Sequence, residues 1–445
     1  MILYLKREMS FKCCYKEIIL RVEVGEKVGK LVIFVPHQDD ETNLAGNILS
    51  YLVKQYDVYV VYSSLDANPD KALIRKQEAR NACAVYGIER NNVIFLELPD
   101  TPNRTGHHFF TDGDKNIILK FEEILRTLMP EVIIGTDFDF HSDHRMVSLA
   151  LDEAVFNIMN EIKTYTPLYL KGFCYETAYY GVDDYSATDL KNTKIGKIPL
   201  SNVSYKWEDR ISLSSQEENG FIFLKTPFKA LACHKSQYAA LHARMVINAD
   251  NVFWKKRTDS LLIRDAKITA TSGDSTKIND LKVIDTNDII TEDPLQIDYS
   301  KGLWRPDDSD LNPCINIAFK EEKTIEQIVL HGNPMIDHIE KCNIEIHLGE
   351  QMLRVDSLMP YGQPTILNID MVQCLHMEIR SLSKTCISEI EVFQPAQRNE
   401  NKLSCVRQLN SNLNKWIDFY DICLFRSFVL IEKVKRKMDF MRSKI

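Results

Sequence analysis

Between residues 31 and about 160 short apolar runs alternate with amphipathic stretches, and this alternation restricts the fold more than any other feature. LVIFV (31–35), VYVVYS (58–63), NVIFLEL (92–98) and EVIIGTD (131–137) read as buried strands. Helical spacing follows them: around 41–55, over KALIRKQEARNACAVYG (71–87), over NIILKFEEILRTLM (116–129) before Pro130, and from DFDFHSDH to about 160. Continuously apolar strands alternating with helices predict an α/β domain whose parallel sheet is covered on both faces. In such sheets ligands bind beyond the carboxyl ends of the strands.

Two polar clusters fall at that edge. The first strand runs into Pro36-His37-Gln38-Asp39-Asp40-Glu41, and the fourth leads to His141-Ser142-Asp143-His144. A histidine and three carboxylates at the end of a buried strand are costly through desolvation and repulsion. A helix N-terminus explains Asp39-Asp40-Glu41 taken alone, because carboxylates complement the helix dipole, and a polar helix start explains HSDH alone. The two clusters together point to a metal. His37 and Asp40, like His141 and His144, are separated by two residues, so in a strand-to-helix turn both side chains can face one point. Two imidazoles and a carboxylate suit a divalent ion, zinc above all, with a fourth position open for water. A remaining carboxylate can then take a proton from that water, and another can orient a histidine.

PHQDDE is similar to the PHPDDE motif of the PIG-L/LmbE-like deacetylases, and HSDH to their HPDH motif. The resemblance covers about residues 30–240. It implies a zinc-dependent enzyme on a Rossmann-like fold that removes the N-acetyl group from an N-acetylglucosamine-type substrate. Matched position by position, it implies His37, Asp40 and His144 as ligands of Zn2+ or another divalent metal, and Asp39 as the general base. His141 would stabilise the oxyanion and protonate the leaving amine, with Asp143 orienting it. Glu41 falls at a position with a helix-start role. Gln38 and Ser142 stand where the family has proline, neither at a ligand position, and the turn Ser63-Ser64-Leu65-Asp66 lacks the glycine of the family's substrate-binding turn. Arg75 (with Glu78 in an R-x-x-E spacing), Asp100 in LPD and His234 in KALACHKSQ are the candidate substrate contacts. A solvated Arg75 and a surface His234 on an amphipathic helix are the alternatives.

From about 263 the pattern changes to short alternating segments separated by turn residues: AKITATSG, INIAFK, IEQIVLHG, NIEIHLG, TILNID, LHMEIR and ISEIEVF. These predict an all-β sandwich. Residues 160–262 are less regular; LYLKGFCYETAYY and GFIFLKT read as strands and KALACHKSQYAALHARM as a helix. The chain therefore divides into a deacetylase-like domain (1–262), a β-sandwich (263–395) and a short helical tail (396–445). The sandwich resembles galactose-binding-like domains of the discoidin or F5/8 type C family, which implies a jelly roll and glycan binding with Trp304, Arg305 and His331 as candidate loop contacts. A sandwich that only packs on the enzyme, with a core tryptophan, is the alternative.

A net charge of −8 argues against a general nucleic-acid binder, and no run of roughly 20 apolar residues predicts a transmembrane helix. The first twenty residues mix charges into their apolar residues and lack a signal-peptide core. Eleven scattered cysteines with no CxxC pair favour reduced thiols and a cytoplasmic location. The tail carries 11 Lys+Arg against 5 Asp+Glu, with a basic cluster from Lys433 to Lys437 among aromatics. A basic amphipathic helix there could lie on an anionic membrane, at the inner membrane surface, or dock on a partner or a second copy. The functional expectation is a zinc-dependent N-deacetylase of an amino sugar or glycoconjugate, hydrolysing a linear amide. A glycan-binding protein with an inactive deacetylase-like domain, and a hydrolase of another amide, are the rivals.

Overall fold

The computed structural model describes residues 27–99, 115–137, 142–174, 194–195, 198–199, 211–214, 221–242, 246, 250–258, 261–280, 283, 302–336, 338–395 and 412–442. The first half alternates β1 (Gly29–Val35), α1 (Asp40–Gln55), β2 (Tyr56–Leu65), α2 (Pro69–Tyr86), β3 (Val93–Pro99), α3 (Lys115–Leu128), β4 (Val132–Thr136), α4 (Ser142–Glu161) and β5 (Leu168–Gly172). Two further strands, β6 (Ile211–Ser214) and β7 (Asp250–Lys256), complete a seven-stranded sheet of order β3-β2-β1-β4-β5-β7-β6. The first five run parallel; β7 is antiparallel to β5, and β6 to β7. The sheet is Rossmann-like, and its strand order reverses between β1 and β4, which opens a crevice at their carboxyl ends.

The apolar run LVIFV is continuous because its alternate residues feed two cores. Val32 and Phe34 pack with Ile133, Phe121, Val147 and Leu151 of β4, α3 and α4 on one face. Leu31, Ile33 and Val35 pack with Leu44, Ile48, Ala79 and Cys83 of α1 and α2 on the other. Burying such side chains stabilises the fold by about 1.5–3 kcal/mol each. Gly135 of β4 lets α4 settle on the sheet, because a Cβ there would lie 2.6 Å from Leu151 Cδ2.

The region before the β module departs from the sequence pattern. GFIFLKT contains a 3-10 turn, Ile222–Leu224, instead of a strand. KALACHKSQYAALHARM is not one helix: α5 (Thr226–Leu231) stops early, and 3-10 turns follow at Lys235–Gln237 and Ala239–His242, with Tyr238 at φ 56 between them. Long-range bonds override the helical periodicity here. Glu78 on α2 accepts the Ser236 N–H at 2.8 Å and its hydroxyl at 2.6 Å, and His234 is drawn into the interior at 0% exposure.

The second half is an antiparallel jelly-roll-like unit of β8 (Lys267–Ala270), β9 (Cys314–His331), β10 (Glu340–Leu348), β11 (Gln351–Leu358), β12 (Pro364–Ser381) and β13 (Glu389–Phe393). Their order is β8-β9-β12-β10-β11, with β13 on β9. INIAFK and IEQIVLHG form one long strand, as do TILNID and LHMEIR; register shifts at Ala318/Lys323 and Ile325/Gln327 interrupt their pairing. Two sequence expectations fail in this unit. Trp304 is fully buried, its indole N–H donating to Ser272 O at 2.8 Å. His331 is 1% exposed, hydrogen-bonded to Gly362 O at 2.8 Å and Glu391 Oε1 at 3.3 Å. Both are core residues and not loop contacts for a glycan; Arg305 is exposed. The helical tail is α6 (Asn412–Arg442). Among the described residues no helix is long and apolar enough to cross a membrane.

Candidate metal centre

The site lies in the crevice where the strand order reverses. β1 ends at Val35, and the chain turns through Pro36-His37-Gln38-Asp39 into α1. Asp39 occupies the N-cap position at φ 132, ψ −21, and its side chain makes no capping hydrogen bond. That conformation costs a non-glycine residue about 1–3 kcal/mol and persists only when its surroundings hold it. The Asp39 carbonyl accepts from the Thr42 and Asn43 N–H groups, both at 3.1 Å, and its own N–H donates to Glu41 Oε2 at 3.0 Å. Gln38 ties the turn to the neighbouring strand through Nε2 to Ser64 O at 2.7 Å, and Gln237 Nε2 donates to Gln38 O. The carboxylate of Asp39 is thus left for a use other than capping.

Three donor atoms converge beside it. His37 Nδ1 lies 3.1 Å from Asp40 Oδ2, His144 Nε2 lies 3.2 Å from the same oxygen, and the two ring nitrogens are 3.3 Å apart. A tetrahedral ion with ligands at about 2.0–2.2 Å separates its donors by roughly 3.3–3.6 Å, close to these distances. His37, Asp40 and His144 are also the one group of three that could hold a metal ion among the described residues. Two nitrogens facing each other across a carboxylate oxygen need a positive charge between them, so the donor set fits zinc or a similar divalent ion. His37 Nε2 lies 2.9 Å from Asp143 Oδ2, the carboxylate–imidazole contact that fixes ring orientation in metal sites.

The electrostatics separate the neighbouring carboxylates. Burial, and then Asp40, push the Asp39 carboxyl up to about 7. Burial also acts upward on Asp40, but His144 and His37 outweigh it and hold Asp40 well below the usual carboxylate range. Burial likewise opposes ionisation of Glu41, and the His234 imidazole overcomes it, lowering Glu41.

The pairing of Glu41 with His234 is the part of the site that the sequence did not reveal. Glu41 is fully buried; His234 Nε2 lies 3.1 Å from its Oε1, and Thr42 Oγ1 donates to the same oxygen at 2.8 Å. Glu41 therefore braces the strained Asp39 backbone as well as starting a helix. His234 is neither a surface histidine nor exposed to a ligand; it is a buried partner of Glu41. Arg75 Nη2 lies 3.8 Å from Asp66 Oδ2, in the turn after β2. Asp143 meets His37; its expected partner His141 lies outside the described residues, as does Asp100.

A Rossmann-like α/β domain with a His-Asp-His donor set at its switch point defines the class. Residues 32–155 match the family model described as PIG-L: GlcNAc-PI de-N-acetylase. No curated protein matches the chain. Among solved structures, N,N'-diacetylchitobiose deacetylase from Pyrococcus horikoshii, complexed with its inhibitor MPG, is 15% identical, covering 52% of this chain and 84% of that one at a TM-score of 0.34. GalB, the 4-carboxy-2-hydroxymuconate hydratase from Pseudomonas putida KT2440, is 13% identical, covering 52% and 96% at 0.34. The family 32 carbohydrate-binding module of NanJ from Clostridium perfringens, in complex with galactose, is 14% identical, covering 30% and 98% at 0.22.

Proposed function

We propose that the protein is a metal-dependent N-deacetylase of an N-acetylglucosamine-type sugar or glycoconjugate. The observation that carries this reading is the convergence of His37, Asp40 and His144 at zinc-donor separations, within a segment that matches the PIG-L model. An ion held there would supply Lewis acidity, acidifying water and polarising an amide carbonyl. Asp39, uncapped and beside the donors, accepts the proton of the attacking water. Asp143 holds the His37 ring in place, and Glu41 with His234 holds the Asp39 backbone in its strained geometry. We assign oxyanion stabilisation and protonation of the departing amine to His141. Arg75 and Asp100 are the candidate contacts for the sugar. The division at 262/263 and at 395/396 is proposed on the same footing, with Arg305 as the candidate surface contact of the β unit. Scattered cysteines support a reducing, cytoplasmic setting.

The test is acetate release from a panel of N-acetylglucosamine derivatives: free sugar, thiol-sugar conjugate, lipid-linked sugar and oligosaccharide. Zinc-dependent release from at least one member, abolished by chelator, is the expected result. Metal-loaded protein that releases no acetate from any of them contradicts the reading.

A further inference from the structure

α6 carries two apolar faces with different fates. Phe425, Phe428 and Val429 pack on Ile222, Phe228, Leu231 and Ala239, and the Arg436 guanidinium lies 3.9 Å from the Tyr238 ring centroid. The tail is thereby fixed to the first domain by one side. The opposite side presents Leu430, Ile431, Val434, Met438 and Met441 at 65%, 54%, 51%, 44% and 51% exposure. Ile431, Val434, Met438 and Met441 recur every three or four residues, so they form one stripe along the helix. At roughly 3.6 residues per turn, Lys433 and Lys437 border one edge of the stripe and Lys435 the other. All three lysines are exposed.

We propose that this face of α6 docks the protein on an anionic lipid surface, with the helix lying in the plane of the interface. An apolar stripe rimmed by lysines is the pattern that inserts side chains among acyl chains while its cations reach lipid head groups. The charge distribution favours that occupant. The last fifty residues are net positive, with 11 Lys+Arg against 5 Asp+Glu, in a chain of net charge −8. Pairing of the stripe with its copy on a second molecule would bring two lysine-rimmed faces together, whereas anionic head groups neutralise them. The helix is not apolar enough to cross a bilayer, so lying on one is the geometry open to it.

Co-sedimentation of the full chain with vesicles of phosphatidylcholine alone, and of phosphatidylcholine mixed with phosphatidylserine, tests the proposal. The anionic vesicles should bind at least about tenfold tighter, with affinity falling as salt rises. I431D/V434D and K433E/K435E/K437E should each weaken that binding about tenfold or more while leaving the thermal unfolding curve unchanged. Because every altered residue is exposed, the docked face stays intact in both variants. No vesicle binding, equal binding to neutral vesicles, or a solution dimer that I431D/V434D dissociates without affecting vesicle binding would overturn the proposal.

Discussion

Asp39 and its neighbours show how a short turn is held in a strained backbone geometry. The positive φ of Asp39 is held by bonds to both sides of its peptide, and Glu41 supplies one of them. His37→Ala or His144→Ala removes a donor and should abolish stoichiometric zinc binding, read by elemental analysis of the purified protein. Gln38→Ala loses a buried hydrogen bond to Ser64 O, and its expected effect is a loss of about 1–2 kcal/mol in urea unfolding with zinc content retained. An unchanged unfolding midpoint would show that Gln38 does not brace the turn. The convergence of His37, Asp40 and His144 was legible in PHQDDE and HSDH because each motif follows an apolar strand and leads into a helix. The Glu41–His234 pair was not, because its partners are 193 residues apart and neither periodicity nor spacing reports a contact that long-range.

Elements were legible where local pattern and tertiary packing agree. β1 to β4 and α1 to α4 follow the apolar runs closely, since two faces of one sheet bury them. Over residues 221–242 the opposite holds: Glu78 and the core claim Ser236 and His234, and a periodic segment becomes turns. β11, QMLRVDSL, went unnoticed because Met352, 45% exposed, blurs its alternation. The joined strands β9 and β12 read as separate pieces because bulges interrupt their pattern. Gly135 makes the contact between β4 and α4 testable. Gly135→Val should cost about 1–3 kcal/mol by overpacking against Leu151, and should weaken zinc binding because α4 carries His144. Wild-type unfolding of that variant would mean the sheet accommodates the side chain elsewhere.

At the scale of the whole molecule, a buried ion pair joins the two sheets. Lys256 of β7 reaches Glu391 of β13 at 2.8 Å, beside Arg257, which donates to Gln394 O at 2.7 Å. Burial opposes the charge on Glu391, but Lys256 and the His331 imidazole together outweigh it and draw it down from 4.5 to about 2. Burial opposes the charge on Lys256 too, and Glu391 with Asp152 raises it above its ordinary value of 10.5. The lowered carboxyl contributes stability that is present above 4.5 and lost as pH falls toward 2. The raised amine contributes stability that is present below 10.5 and lost as pH climbs through its folded value. Lys256→Met should therefore destabilise the protein by about 3–5 kcal/mol, and Lys256→Met/Glu391→Met by much less, because the single change leaves the buried Glu391 carboxylate without its cation, with His331 as the partner that remains. Equal losses in urea unfolding of the two variants would place the stabilisation outside this pair.

The proposed deacetylation depends on Asp39 acting as base beside a metal that it does not hold. Zinc content and acetate release of Asp39→Ala, measured on one preparation beside wild type, test this most directly. The predicted result is wild-type zinc stoichiometry with deacetylation slower by about 10²–10⁴-fold. Acetate release at the wild-type rate, or zinc lost together with activity, would contradict it.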